Sequence, residues 1–179
     1  MKENEEYKEY PLEFTGDPFL GVQYFITVNS NNKKLKFNID SGAEANLVSS
    51  VALDGCSYND TGANMEFRSV LNSANVNIIF LEFILDDVDF NLVDPEDRYK
   101  LFFSVMPAEQ DSVFDDYDYD GLLGATFLQF CEVNFREGYI RVYKDHFSGK
   151  VTSTLLADLE EKYKAYREQE GLDGQEVRL

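Results

Sequence analysis

The chain has one histidine, His146, and two cysteines, Cys56 and Cys131, among 179 residues. That scarcity removes several chemistries. A Ser-His-Asp or Cys-His site would have to recruit His146, and no G-x-S-x-G surrounds any serine. Zinc sites draw mainly on histidine and cysteine, and these few residues lack ligand spacing, so no metal and no cofactor is expected. The phosphate-cradling patterns G-x-G-x-x-G and G-x-x-x-x-G-K-[ST] are missing. Basic residues are also few, 16 against 34 acidic, for a net charge of −18. Such a surface repels nucleic acid and anionic lipid, so neither is expected as a partner. No apolar run approaches the roughly 20 residues that span a bilayer. The opening Met1-Lys2-Glu3-Asn4-Glu5-Glu6 is charged, and no apolar stretch follows it. No signal peptide is visible, and a cytoplasmic location is expected if the chain is complete as given. Cys56 and Cys131 are far apart in sequence; they either pair or sit separately as small apolar residues, the commoner use of two thiols in a chain of this length.

What the chain has in quantity is carboxylates and aromatic rings. Apolar residues make up 44% and aromatics 15%, enough to build a core rather than remain disordered. Residues 10–143 read as strands. An apolar stretch at 22–28 leads into Asn29-Ser30-Asn31-Asn32, a turn by composition. Lys34-Leu35-Lys36-Phe37-Asn38-Ile39 then alternates, which puts Leu35, Phe37 and Ile39 on one face. Together these predict a hairpin that delivers the chain to Asp40. Residues 47–53 are a short apolar stretch, and 54–62 read as a loop with Asn59-Asp60-Thr61-Gly62 as turn material. Strands are expected at 65–70 and 76–85 around Leu71-Asn72-Ser73-Ala74-Asn75, and at 101–106 before Pro107. An acidic loop at 108–120, a brief helix at 125–130 and a last hairpin at 131–135 and 139–143 complete the domain. Beyond it the period changes. Leu155, Leu156, Leu159, Tyr163 and Tyr166 recur at helical spacing behind Ser153 or Thr154 as a cap. The expected division is an N-terminal arm at 1–15, a domain at 16–147, and a C-terminal helix and tail at 148–179.

Ile39-Asp40-Ser41-Gly42-Ala43 is the segment with chemical promise. A strand feeds a carboxylate into a tight turn, where glycine allows close backbone approach. By itself Asp-Ser-Gly also describes an ordinary hairpin turn. Eighty residues later stands Asp120-Gly121-Leu122-Leu123-Gly124-Ala125, with Phe127-Leu128 after it.

In this order the two segments resemble the paired signature of the retropepsin-like aspartic proteases, over roughly residues 20–143. The resemblance implies a mainly β, single-lobe acid-protease fold, a closed barrel or sandwich with a flap hairpin between the motifs and a short helix after the second. It implies that Asp40 is catalytic, that Ser41, Gly42 and Ala43 support its loop, and that Leu122, Leu123 and Gly124 form the second motif, with Ile39 and the leucine pair as supporting core. Glu44 becomes a candidate substrate contact, and Asn72, Ser73 and Ala74 a candidate flap tip. The sequence departs from the viral pattern in four places. Glu44 and Asn46 stand where Asp and Thr or Ser are usual, Ala125 replaces an arginine, and the flap stretch lacks glycines.

Asp-[Ser/Thr]-Gly occurs twice, but Asp60-Thr61-Gly62 reads as turn material and Asp40 alone precedes the second motif in the expected setting, while the implied chemistry needs two carboxylates sharing a proton. The expected assembly is therefore a homodimer with one Asp40 from each protomer, acting on a peptide or protein substrate. The competing reading is a non-catalytic relative that binds peptides or assembles with partners, with Asp40 kept for loop geometry.

Lesser features follow. Asp116-Tyr117-Asp118-Tyr119-Asp120-Gly121 opens like a calcium loop, yet its twelfth position is Phe127 rather than glutamate, which favours a solvated acidic loop. His146 reads as a surface residue. The C-terminal helix packs on its own domain or extends the dimer contact, and residues 5–14 are a candidate edge strand at that contact.

Overall fold

The computed structural model describes residues 2–3, 7–17, 19, 21–68, 73–85, 98–107, 118–143 and 161. In chain order the strands are β1 (Lys2–Glu3), β2 (Tyr7–Pro11), β3 (Glu13–Asp17), β4 (Gly21–Ser30), β5 (Lys33–Ile39), β6 (Leu47–Ser49), β7 (Ser57–Arg68), β8 (Ser73–Phe83), β9 (Tyr99–Met106), β10 (Gly121–Leu123), β11 (Cys131–Asn134) and β12 (Tyr139–Tyr143). A 3₁₀ turn covers Val51–Leu53 and a short helix, α1, covers Ala125–Leu128. The chain is mainly β, as the alternation predicts.

The β4–β5 hairpin shows why. Leu35, Phe37 and Ile39 all face inward, and the first two are fully buried. Each such burial is worth about 1.5–3 kcal/mol. Asn31 and Asn32 both take positive φ, 49° and 66°, the two-residue turn that matches strand twist. The turn is shorter than composition predicts, because Asn29 and Ser30 belong to β4 and are buried. The Asn29 backbone and the Ser30 hydroxyl find their partners at a distance. The Asn29 backbone exchanges hydrogen bonds with Ile84 (2.8 and 2.9 Å), and the Ser30 hydroxyl donates to the Glu82 carbonyl at 2.6 Å.

A second correction concerns residues 57–62, which are strand rather than loop. β7 runs through them with a bulge between Asp60 and Ala63. The turn-forming residues build that bulge. Gly62 takes φ +70° and donates its N–H to the Asp60 carboxylate at 2.8 Å, while the Thr61 hydroxyl donates to the Ile78 carbonyl at 2.6 Å.

Among the described residues the strands form two sheets, ordered β1-β2-β12-β11 and β3-β4-β5-β10-β6-β9-β8-β7. The second order contains the feature that matters. β10 lies between β5, to which it is parallel, and β6, to which it is antiparallel. The main core joins both sheets, with Tyr10, Leu12, Ile140 and Val142 meeting Val28, Phe37, Leu81, Phe103, Leu123 and Phe127. Residues 7–12, part of the expected arm, thus supply a strand and two core side chains. A smaller cluster of Leu47, Met106, Tyr119 and Leu122 sits on the other face of the large sheet.

On the small sheet, Glu9, Arg141 and Glu132 face one another across β2, β12 and β11. The Arg141 guanidinium donates to Glu9 at 2.9 Å and to Glu132 at 3.1 Å, and the Tyr143 hydroxyl donates to Glu132 at 3.1 Å. Those hydrogen bonds, Arg141 first and Tyr143 second, hold the Glu132 carboxyl below the usual carboxylate range.

Cys56 and Cys131 are separate free thiols, and burial pushes both up from the ordinary thiol value. Among the described residues no helix is long and apolar enough to cross a membrane. His146, residues 69–72, residues 108–117 and the expected helix at 153–168 lie outside the described residues, except that Glu161 is helical.

Candidate active site

β5 ends at Ile39, so Asp40 emerges at the end of a buried strand. The Asp40 N–H donates to the Leu123 carbonyl at 3.1 Å, and its carbonyl accepts the Ala43 N–H at 3.2 Å, closing a four-residue turn. Its Oδ1 accepts the Gly42 N–H at 2.9 Å. A Cβ at residue 42 would stand 3.2 Å from that oxygen, so glycine leaves the carboxylate its room. Asp40 is half-buried, whereas Ser41, Gly42 and Glu44 are exposed. The turn is therefore a hydrogen-bonded rim on which Asp40 stands half-buried among exposed residues.

The second motif is what holds the rim. Gly121 passes so close to β6 that a Cβ would overlap the Leu47 carbonyl oxygen and come within 2.8 Å of the Phe37 ring. A Cβ at Gly124 would lie 2.5 Å from the Ala45 carbonyl oxygen and 2.7 Å from that of Ala43. No other residue fits either place without displacing backbone. Beyond Gly124, the Ala125 N–H donates to the Ala43 carbonyl at 2.8 Å and the Thr126 N–H to the Glu44 carbonyl at 3.1 Å. The start of α1 thus caps the Asp40 loop directly. At the other end of β10, Asp120 fixes the register. Its N–H donates to the Lys36 carbonyl and its carboxylate accepts the Lys36 N–H, both at 2.8 Å.

Asn46 completes the lock, and sequence reasoning did not single it out as functional. It is 2% exposed. Its Oδ1 accepts the Gly124 N–H at 3.0 Å and its Nδ2 donates to the Phe102 carbonyl at 3.0 Å. Its own carbonyl accepts the Ser104 N–H, also at 3.0 Å. One amide thereby ties the second-motif glycine to β9. The available signal was a polar residue opening an apolar stretch, at a position where the resemblance expected a hydroxyl.

The predicted residues divide as follows. Asp40 and Ala43 meet Leu123 and Gly124 at one place, with Ser41 and Gly42 in the turn between them. Leu123 is buried in the main core, while Leu122 belongs to the smaller cluster on the opposite face. Ser73 and Ala74 begin β8, paired with Arg68 and Phe67 at the far end of the β7–β8 hairpin, and Asn72 lies outside the described residues. Among the described residues no three His, Cys, Asp or Glu side chains are grouped to hold a metal ion.

No family model and no curated protein matches the sequence. The solved structures that resemble the chain include two proteases. One is a retropepsin-like aspartic protease from Rickettsia conorii, 17% identical, covering 80% of this chain and 97% of that one with a TM-score of 0.46. The other is the protease of Simian Foamy Virus (mac), also 17% identical, covering 59% of this chain and 92% of that one with a TM-score of 0.38. Likeness at this level says nothing of activity.

Proposed function

We propose that the chain is one half of an aspartic endopeptidase, completed by a second copy. The observation that carries this reading is the interlock of the Asp40 loop with β10 and α1, which spends two sterically obligate glycines and a buried asparagine on holding one carboxylate at an exposed turn. A loop serving only as a hairpin turn has no need of that support.

A lone ionised carboxylate can take a proton from water but holds none with which to polarise the peptide carbonyl at the same moment. Two Asp40 side chains across a two-fold axis do both. Like charges held close share a single proton, so the pair titrates as a unit. The ionised member draws a proton from a bound water, which attacks the peptide carbonyl. The protonated member polarises that carbonyl and then helps protonate the leaving amine. Ser41 and Gly42, exposed in the single chain, are the residues that would meet their counterparts at the axis. The β7–β8 hairpin, with Ser73 and Ala74 near its far end, would cover a peptide lying over the pair.

Asp40→Asn is expected to abolish cleavage of a denatured protein substrate while leaving fold and dimerisation intact. Assays spanning roughly pH 3 to 7 cover the range of such dyads. A wild-type protein that cleaves nothing there would turn the reading toward a peptide-binding or assembly module.

A further inference from the structure

β4 makes its last pair with β5 at Phe25–Asn38. Tyr24 and Val22 come before that pair, so they run on beside Ile39 and the Asp40 turn. On the other side of β4, β3 pairs Phe14 with Tyr24 and Gly16 with Val22, which puts these four residues on one face. Phe135, in the turn after β11, completes the group. The Tyr24 ring lies 4.7 Å from the Phe135 ring and 6.4 Å from that of Phe14. Phe14 is 69% exposed, Val22 54% and Phe135 40%. Three of the seven exposed large apolar side chains among the described residues are thus gathered at the end of the large sheet that carries Asp40. Gly16 keeps the surface low, with nothing within 4 Å of where its Cβ would stand. The acid next to Phe14 on β3, Glu13, belongs to the opposite face, where its carboxylate accepts the Thr27 hydroxyl at 2.6 Å.

An apolar ledge rich in aromatic rings is the composition of the centre of a protein contact. In a chain of net charge −18 it is also a place where a second copy can approach without setting like charges against each other. The pairing of two Asp40 turns needs such a surface. Two four-residue turns meeting tip to tip fall far short of the roughly 1,200 Å² at which stable interfaces begin. By the spacing of strands the ledge is close at hand, about 5 Å from β5 on β4 and about 10 Å on β3. We propose that the ledge of Phe14, Val22, Tyr24 and Phe135 is a contact between two copies of this chain, continuous with the meeting of their Asp40 turns. The inference rests on that pairing and names the surface that holds it together. Across a two-fold axis each ledge residue is buried twice, once in each copy.

The test is the dimer dissociation constant of the full chain, measured by sedimentation equilibrium at about 0.15 M salt, where distant charges are screened. Phe14→Asp and Val22→Asp each put a charge on the ledge. Thr15→Asp puts the same charge on the same strand but on the opposite face, since Thr15 is exposed and pairs with Gln23. Phe14→Ser removes the ring without adding charge, and reads the same contact should an aspartate disturb the fold by circular dichroism. The two ledge aspartates and Phe14→Ser are expected to weaken the dimer by about tenfold or more, the loss typical of a central aromatic. Thr15→Asp should stay within about twofold of wild type, as a surface change outside the contact does. A wild-type dimer that the ledge variants leave equally tight, or that Thr15→Asp weakens as much as Phe14→Asp, overturns the ledge and leaves the pairing of Asp40 standing. A wild type that sediments as a monomer at every concentration overturns both.

Discussion

Gly121 and Gly124 are the residues for which the fold has least tolerance. An alanine at Gly121 would drive its methyl into the Leu47 carbonyl, and one at Gly124 would press on two carbonyls of the Asp40 loop. Each substitution is expected to cost about 3 kcal/mol or more in urea unfolding, the upper end for overpacking. Gly16→Ala is the control. Nothing lies within 4 Å of the place its methyl would take, so it should fall within about 0.5 kcal/mol of wild type. Asn46 is the second test at this scale. Asn46→Ala leaves the buried Gly124 N–H and the Phe102 carbonyl without their partner, at about 1–3 kcal/mol for each group. Asn46→Asp keeps the acceptor but sets a buried carboxylate oxygen against the Phe102 carbonyl, so at neutral pH its midpoint in the same denaturant series should lie at or below that of alanine. The two glycines were visible in the sequence as a motif, but the carbonyls that forbid a side chain were not. Asn46 was illegible for the same reason: its side-chain partners lie 56 and 78 residues away.

At the level of strands, the sequence was readable where one face is buried and the other wet. The Leu35, Phe37, Ile39 alternation placed β5 correctly because burial enforces a period of two. It misled where polar residues are buried or where turn-formers sit inside a strand. Asn29 and Ser30 look like a turn because their partners, Ile84 and Glu82, come from β8 and the residue just after it. The bulge at Asp60–Ala63 uses turn chemistry without turning the chain. The Glu9–Arg141–Glu132 rung of the small sheet carries its own prediction. Glu132 is held below its ordinary value, so its contribution is full above the usual carboxylate range and disappears as pH falls through the lowered value. Tyr143, raised by its hydrogen bond to Glu132, behaves oppositely. Its contribution is full below the ordinary phenol range and is lost as pH rises through the raised value. Glu132→Gln should therefore lower the melting temperature at neutral pH. The difference from wild type should shrink only below the ordinary carboxylate range, as pH falls through the lowered value. Thermal melts of both proteins across that interval are the measurement.

The whole molecule carries −18, and pairing two copies doubles that charge in one particle. Self-association works against this repulsion at neutral pH and low salt. Partial protonation should relieve it, so sedimentation is expected to show a larger dimer fraction at about pH 5 than at about pH 8. An equal or larger fraction at the higher pH contradicts that. At this scale the mainly β character and the order of the two motifs were legible, since composition and short patterns carry both. The topology was not. Nothing local says that β10 inserts between β5 and β6, or that both ends of the domain meet in the small sheet. The insertion has a consequence for synthesis. Asp120 clasps a backbone amide 84 positions earlier in the chain. While the polypeptide is still leaving the ribosome, β5 and β6 flank an unfilled slot, and the acid-bearing turn lacks the wedge that sets it. About two-thirds of the chain must be translated before β10 arrives. The setting of the Asp40 turn is thereby a late event in the folding of this segment.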